Sequence, residues 1–329
     1  MRFVKLLVGA LLVAAVVVHL GTGAVVDGLR AVSGSSLAAA LVIGFVTTAA
    51  SAARWCLVAR GVGLRLAPGR ALADCYRAQF LNSVLPAGVL GDVHRAVDHG
   101  RRNADVARGV RAVVIERVAG QVVVIATCAA LLVALPSPAR ELVDPVTVLT
   151  VLAVVVAVAL AVVSLASRSR RPVAARLRRG RAMAESFVDD LRDGLLRRGT
   201  GPGVVGLSLV ATVGHLALLA VAAGPVAPLG TLLPLLALAL LAMGLPVNVG
   251  GWGPREAAMA AAFGAAGLGA EAGLTAAVTY GVLALVSCLP GAGVLLLGRI
   301  ALPRPAQADA AAPANSPRLT YRTRPASVA

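Results

Sequence analysis

The chain has 329 residues, of which 58% are hydrophobic and only 14% charged. A soluble domain carries about 25% charged residues, so this composition excludes an ordinary soluble enzyme and points to an integral membrane protein. The net charge of +16 comes from basic residues placed between apolar runs, a pattern of membrane topology and not of a nucleic-acid-binding face.

About 20 apolar residues cross a bilayer. In chain order, the first such run is 3–20, led by Arg2 and Lys5. No small-residue cleavage site follows it, so it is read as an uncleaved first helix. A second run covers 37–59, and an interrupted one follows at 71–96. Full-length runs at 112–135 and 146–166 come next, then the loop 168–198 with ten Arg and four acids. Within that loop Met183, Phe187, Leu191 and Leu195 recur every four residues, which predicts one apolar helix face. This helix suits either an anionic leaflet or the side of the bundle. Another full run spans 203–223, a second interrupted one 231–268, and a last full one 274–298. The tail 301–329 is rich in Pro, Ala and Ser and reads as disordered.

Arginine sets the expected orientation. Residues 60–111 hold nine Arg and the tail from Arg299 holds five, whereas 21–36 and 136–145 hold one each, Arg30 and Arg140. The positive-inside rule then places both termini in the cytoplasm of a multi-pass plasma-membrane protein. Under that rule 71–96 must enter and return from inside, and 231–268 from outside. The expected fold is therefore all-α: about six full transmembrane helices plus two opposed re-entrant hairpins in an inverted repeat. A single membrane domain, 1–300, has repeat halves at about 1–135 and 146–298, with a cytoplasmic basic loop at 167–200, and the tail 301–329 is cytoplasmic.

The interrupted runs share a motif. LPAGVLGDVHRA (85–96) aligns without a gap on LPVNVGGWGPRE (245–256), matching Leu85 with Leu245, Pro86 with Pro246, Val89 with Val249, Gly91 with Gly251 and Arg95 with Arg255. The offset is 160 residues, about half the chain. Pro86, Gly91, Pro246, Gly250, Gly251 and Gly253 break helices, which is tolerated at membrane depth only where protein or a watery cavity covers the backbone. Broken helices near the midplane of an inverted repeat are a recurrent design of transport sites.

Polar residues cluster beside these breaks. The first hairpin offers Arg77, Gln79, Asn82, Asp92, His94 and Arg95; the following span offers Glu116 and Arg117. The second hairpin offers Asn248, Trp252, Arg255 and Glu256. A central charge costs about 2.5–3.5 kcal/mol on insertion scales, so such groups must pair or face a cavity. Two readings stand. Arg95, Arg117 and Arg255 can present guanidinium forks to a phosphate, aimed by Asp92, Glu116 and Glu256. Alternatively the same charges pair with one another to lock the bundle. Arg54, beside Trp55, is expected to snorkel to the cytoplasmic interface. Arg60, Arg65 and Arg70 are expected to be topology signals. His215 is expected to be a packed residue.

Asp92, His94, Asp98 and His99 are close in sequence, but their spacing fits no standard metal motif, and no metal is expected. Cys56, Cys75, Cys128 and Cys288 form no CxxC pair and read as buried hydrophobes. No Walker or G-x-S-x-G motif occurs, so an ATP-driven pump on this chain alone is not expected; no cofactor and no enzyme activity are expected either.

The blocks FLNSVLPAGVLGDVHRA (80–96), ERVAG (116–120) and LPVNVGGWGPREAA (245–258) resemble the transmembrane region of lysylphosphatidylglycerol synthase and the flippase-like family around it. The likeness runs from about residue 5 to 300. It implies a protein that moves a lipid or lipid-linked molecule between leaflets. Asn82, Asp92, Arg95, Glu116, Arg117, Asn248, Arg255 and Glu256 are the expected substrate-binding set, read from the polar residues beside the breaks. The full synthase has a soluble aminoacyl-transferring domain after its spans. None is expected here, so that activity is not carried over. Expected partners are membrane lipids, including an anionic phospholipid or lipid-linked head group, and no nucleic acid. Alternatives are a membrane enzyme using Asp92, His94 or Glu256 on a lipid or polyprenyl-linked substrate, and a non-transporting partner of envelope-biosynthesis enzymes.

Overall fold

The computed structural model describes residues 22–84, 90–136, 200–244 and 252–300. The expected spans 3–20 and 146–166, the basic loop up to 199, the tail from 301, and Pro86, Pro246, Asn248, Gly250 and Gly251 lie outside them.

The described residues are all-helical. The helices are α1 Thr22–Arg30, α2 Gly34–Gly61, α3 Pro68–Val84, α4 Leu90–Arg102, α5 Val106–Ala134, α6 Thr200–Ala223, α7 Leu229–Met243, α8 Pro254–Ala265, α9 Ala270–Cys288 and α10 Pro290–Ile300. Four segments are long and apolar enough to cross a membrane: α2, α5, α6 and Ala270–Leu297, which runs through α9 into α10. Large apolar side chains such as Leu41, Val42, Phe45 and Val46 on α2 stay exposed outside the protein. Burial on one side and apolar exposure on the other is the condition of a helix in lipid.

Local chemistry sets the boundaries. At the start of α2, the Ser33 side chain accepts from the Ser36 N–H at 3.2 Å and the Ser36 side chain accepts from the Ser33 N–H at 2.9 Å, a reciprocal cap. At the start of α5, Asp105 Oδ1 accepts from the Arg108 N–H at 2.8 Å. That cap lets α5 begin at Val106, earlier than the apolar run from 112 suggested, so Arg108 and Arg111 are helical.

Each interrupted run is a pair of helices. α3 and α4 fold back on each other in antiparallel register: Ala78 meets Gly91, Cys75 meets Arg95 and Asp74 meets Arg102. Gly91 falls in the first turn of α4 and not in the loop. A Cβ there would lie 2.2 Å from the Ala78 carbonyl oxygen, and so only glycine allows the two backbones to approach this closely. Gly91→Ala is expected to push the helices apart and cost about 1–3 kcal/mol by overpacking. A thermal melt of the detergent-solubilised variant that matches wild type would refute this. In the second half α7 and α8 share one apolar cluster with α6 and α9, built on Leu219, Leu236, Met259, Phe263 and Leu283. A separate cluster in the first half gathers Trp55, Val58, Cys75, Ala96 and Ile115.

The halves meet along α2 and α6. Leu57 lies against Gly203, Arg54 against Ser208 and Thr47 against Gly214, so the two helices run antiparallel. These are the second full spans of the two sequence halves, and their opposed directions agree with an inverted repeat.

Candidate functional site

The first motif builds a polar network across five helices, α2 to α6. Glu116 on α5 is its centre and is 1% exposed. Its Oε1 accepts from Arg54 Nε of α2 at 2.8 Å, and its Oε2 accepts from Arg95 Nη2 of α4 at 2.7 Å. Arg54 Nη1 donates to Ser208 Oγ of α6 at 2.9 Å, which ties the network to the other half of the chain. Arg95 Nε donates to Asp92 Oδ1 at 2.9 Å, and its guanidinium lies 4.7 Å over the Trp55 ring. Asp92 Oδ1 also accepts from Arg117 Nη2 at 2.7 Å, while Asp92 Oδ2 accepts from Asn82 Nδ2 at 3.0 Å. Asn82 Oδ1 in turn accepts from the Gly91 N–H at 2.8 Å, so the hairpin's two arms hold Asp92 between them.

Two properties of the network bear on function. Three guanidiniums face two carboxylates, which leaves one surplus positive charge. That surplus is presented by Arg117, whose side chain is 49% exposed while those of Arg54 and Arg95 are 7% and 3% exposed. The arrangement is a buried, paired base with one cation at its open edge.

Arg54 corrects the sequence expectation. It does not snorkel to an interface; it is buried and fully engaged. The reason is tertiary: Glu116 and Ser208 supply acceptors, and Gly120, one turn after Glu116, leaves space for the guanidinium. A Cβ at Gly120 would sit 2.8 Å from Arg54 Nη1. Trp55, Ser208 and Asp74 were also missed. Asp74 is buried and pairs with Arg77 and with Arg102 at 3.4 Å. The spacing of Glu116 and Gly120 was the available signal, since residues four apart share a helix face.

The second motif is smaller. Arg255 Nε donates to Glu256 Oε1 at 3.1 Å, and both residues are 2% exposed. The guanidinium lies 5.0 Å over Trp252 and 5.0 Å over Tyr280. Glu256 Oε2 accepts from the Gly253 N–H at 2.7 Å and so caps α8. Gly253 has φ 109°, a conformation that side chains disfavour, which accounts for glycine at this break. Both motif arginines are thus buried, paired with a carboxylate and stacked on a tryptophan. They differ in that Arg255 meets only an adjacent glutamate and has no exposed companion comparable to Arg117 among the described residues.

The two sites are offset by about 10 Å along the bundle axis, the first level with Ser208 of α6 and the second with His215, so each is nearer a different end. Glu116 is about 15 Å along α5 from Val106, and Tyr280 about 15 Å along α9 from Ala270, at the usual rise per residue. α5 begins beside the end of α2. α9 begins beside the end of the antiparallel α6, where Ala222 and Ala223 share a cavity wall with Thr275 and Ala276.

The remaining candidates are dispersed. His94 is exposed, whereas His99 is buried with its ring 5.3 Å from Trp55 in an edge-on contact. Burial holds the His99 imidazole below its ordinary pKa. Asp98 pairs with Arg102. Arg60, Arg65 and Arg70 are exposed at the end of α2 and the start of α3. His215 Nδ1 lies 3.4 Å from the Tyr280 hydroxyl, within the packed bundle. The four cysteines are buried and free.

In comparisons with known proteins, the family model described as the lysylphosphatidylglycerol synthase TM region matches residues 2–291. No curated protein matches the chain.

Proposed function

The chain belongs to the lysylphosphatidylglycerol synthase TM region family, and on that premise we propose that it is a flippase-like translocase. It moves a lipid or lipid-linked molecule with an anionic head group between the leaflets of the cell membrane. The observation that carries this reading is the net-positive network under the first motif, with Arg117 at its open edge.

A phosphate crossing hydrocarbon alone meets a large desolvation penalty. A fixed guanidinium at membrane depth offsets that penalty with charge-assisted hydrogen bonds. Among the residues of the proposed binding set, Arg117 meets the head group directly, and Asp92 aims it. Arg95, Glu116 and Asn82, together with Arg54, hold those two in position. Arg255 and Glu256 form the opposed site on this reading, and Asn248 of the same motif is assigned to it from the sequence. Both termini lie in the cytoplasm on this reading, because the arginine-rich segments do.

The test is lipid exchange between leaflets. Purified protein is reconstituted in vesicles with head-group-labelled phosphatidylglycerol or phosphatidylcholine, and the outer label is quenched. Inner-leaflet anionic label should become accessible faster than in empty vesicles. If both lipids behave as in empty vesicles, scrambling of ordinary phospholipids is ruled out and the proposal fails in this form.

A further inference from the structure

The turn that follows α2 encloses a cavity of about 380 Å³ lined by Cys56, Arg60, Leu64, Arg65, Leu66 and Ala67. The turn is firmly built. Gly63 adopts φ 79°, and the Leu64 N–H donates to the Ala59 carbonyl at 2.8 Å. Across the turn, the Arg65 N–H donates to Asn103 Oδ1 at 3.2 Å, and Asn103 Nδ2 donates back to the Arg65 carbonyl at 3.4 Å. The α4–α5 connection therefore clamps the α2–α3 connection. Neither the Arg60 nor the Arg65 guanidinium meets a carboxylate among the described residues.

The same feature recurs in the second half with the opposite charge. The turn after α6 has its own positive-φ glycine, Gly224 at φ 68°. It borders a cavity of about 430 Å³ lined in part by Val221, Gly224, Val226, Asp27 and Glu271. Leu64 and Leu66 correspond to Gly224 and Val226 at the offset that relates the two motifs. Because α2 and α6 are antiparallel, the two cavities lie at opposite ends of the bundle. One is basic and the other acidic.

We propose that the basic cavity at the α2–α3 turn is a second binding site, separate from the motif network, for a phosphate group carried by an anionic lipid or free in solution. Two unpaired guanidiniums on a clamped turn provide fork-shaped donors for phosphate oxygens. The apolar wall of Leu64, Leu66 and Ala67 accommodates the glycerol portion of a lipid. The acidic cavity repels the same ligand, and so the repeat contains its own control.

The full chain in detergent would be titrated with dioleoyl phosphatidylglycerol, with dioleoyl phosphatidylcholine and with inorganic phosphate, and bound ligand read by native mass spectrometry. Wild type should retain one phosphatidylglycerol more firmly than phosphatidylcholine. In the double variant R60Q/R65Q that affinity should fall at least about tenfold, as expected for loss of charge-assisted hydrogen bonds. Glu271→Gln, at the acidic cavity, should leave it unchanged. Arg60 and Arg65 are exposed, so the double variant should melt as wild type does. Retention of phosphatidylglycerol alone identifies a lipid head-group site; equal retention of inorganic phosphate identifies a general phosphate site; both support the proposal. It is overturned if the double variant binds all three probes as wild type does. Failure of leaflet exchange with this binding intact would reject only the translocase reading.

Discussion

Glu116→Ala is expected to destabilise the protein by about 3–5 kcal/mol, the cost of removing one partner from a buried ion pair. Glu116 holds Arg54 through one carboxylate oxygen and Arg95 through the other. Its loss leaves two guanidiniums buried beside Arg117, with Asp92 as the remaining carboxylate of the network. Arg54 keeps Ser208 and Arg95 keeps Asp92, but neither keeps its full set of acceptors. Glu116→Gln should fall between alanine and wild type, because an amide oxygen can still accept one guanidinium without neutralising it. Denaturant titration in mixed micelles measures the loss. A change below about 1 kcal/mol in the alanine variant would show that the pairs contribute no more than an exposed surface bridge.

Arg117→Ala should behave in the opposite way, with transport lost and stability kept. The Arg117 side chain is half-exposed and makes an ion pair only at its tip, to Asp92. Asp92 keeps Arg95 and Asn82 as partners when Arg117 is removed, so little stability is lost. If Arg117 contacts the phosphate during crossing, its removal takes away a charge-assisted hydrogen bond worth about 1.5–3 kcal/mol, or roughly a 10- to 150-fold slower exchange of anionic lipid. Asp92→Asn offers a second reading of the same site: freeing Arg117 from its carboxylate should tighten binding of anionic head groups while weakening the hold on Arg95. An Arg117→Ala protein that exchanges phosphatidylglycerol at the wild-type rate would remove this residue from the proposed path. A matching fall in stability and transport would assign it to the structural lock instead.

The sequence reading placed Arg95, Asp92, Glu116 and Arg117 in one set, and the structure brings them within hydrogen-bonding distance of one another. There Arg95 is buried between two carboxylates, and Arg117 pairs with Asp92 while its side chain stays half-exposed. Arg54 was misread because its partners are distant in sequence. From Arg54 alone, an arginine beside a tryptophan near the end of a span looks like an interfacial anchor. The position of Arg255 against Tyr280 was likewise hidden, since it depends on α8 folding back along α9.

The sequence by itself determined that the chain is a multi-pass helical membrane protein, where four of its spans lie, and that two motif-bearing helix pairs interrupt them. These follow from hydropathy, length and helix breakers, properties that each segment carries locally and that the bilayer reads without reference to the rest of the chain. Only the tertiary structure decided which charges are buried, which carboxylate serves which arginine, and which cation is left at the open edge. Such pairing depends on where helices separated by 62 or 154 residues meet. It also depends on whether a small residue such as Gly120 leaves room for a guanidinium, which no single segment specifies.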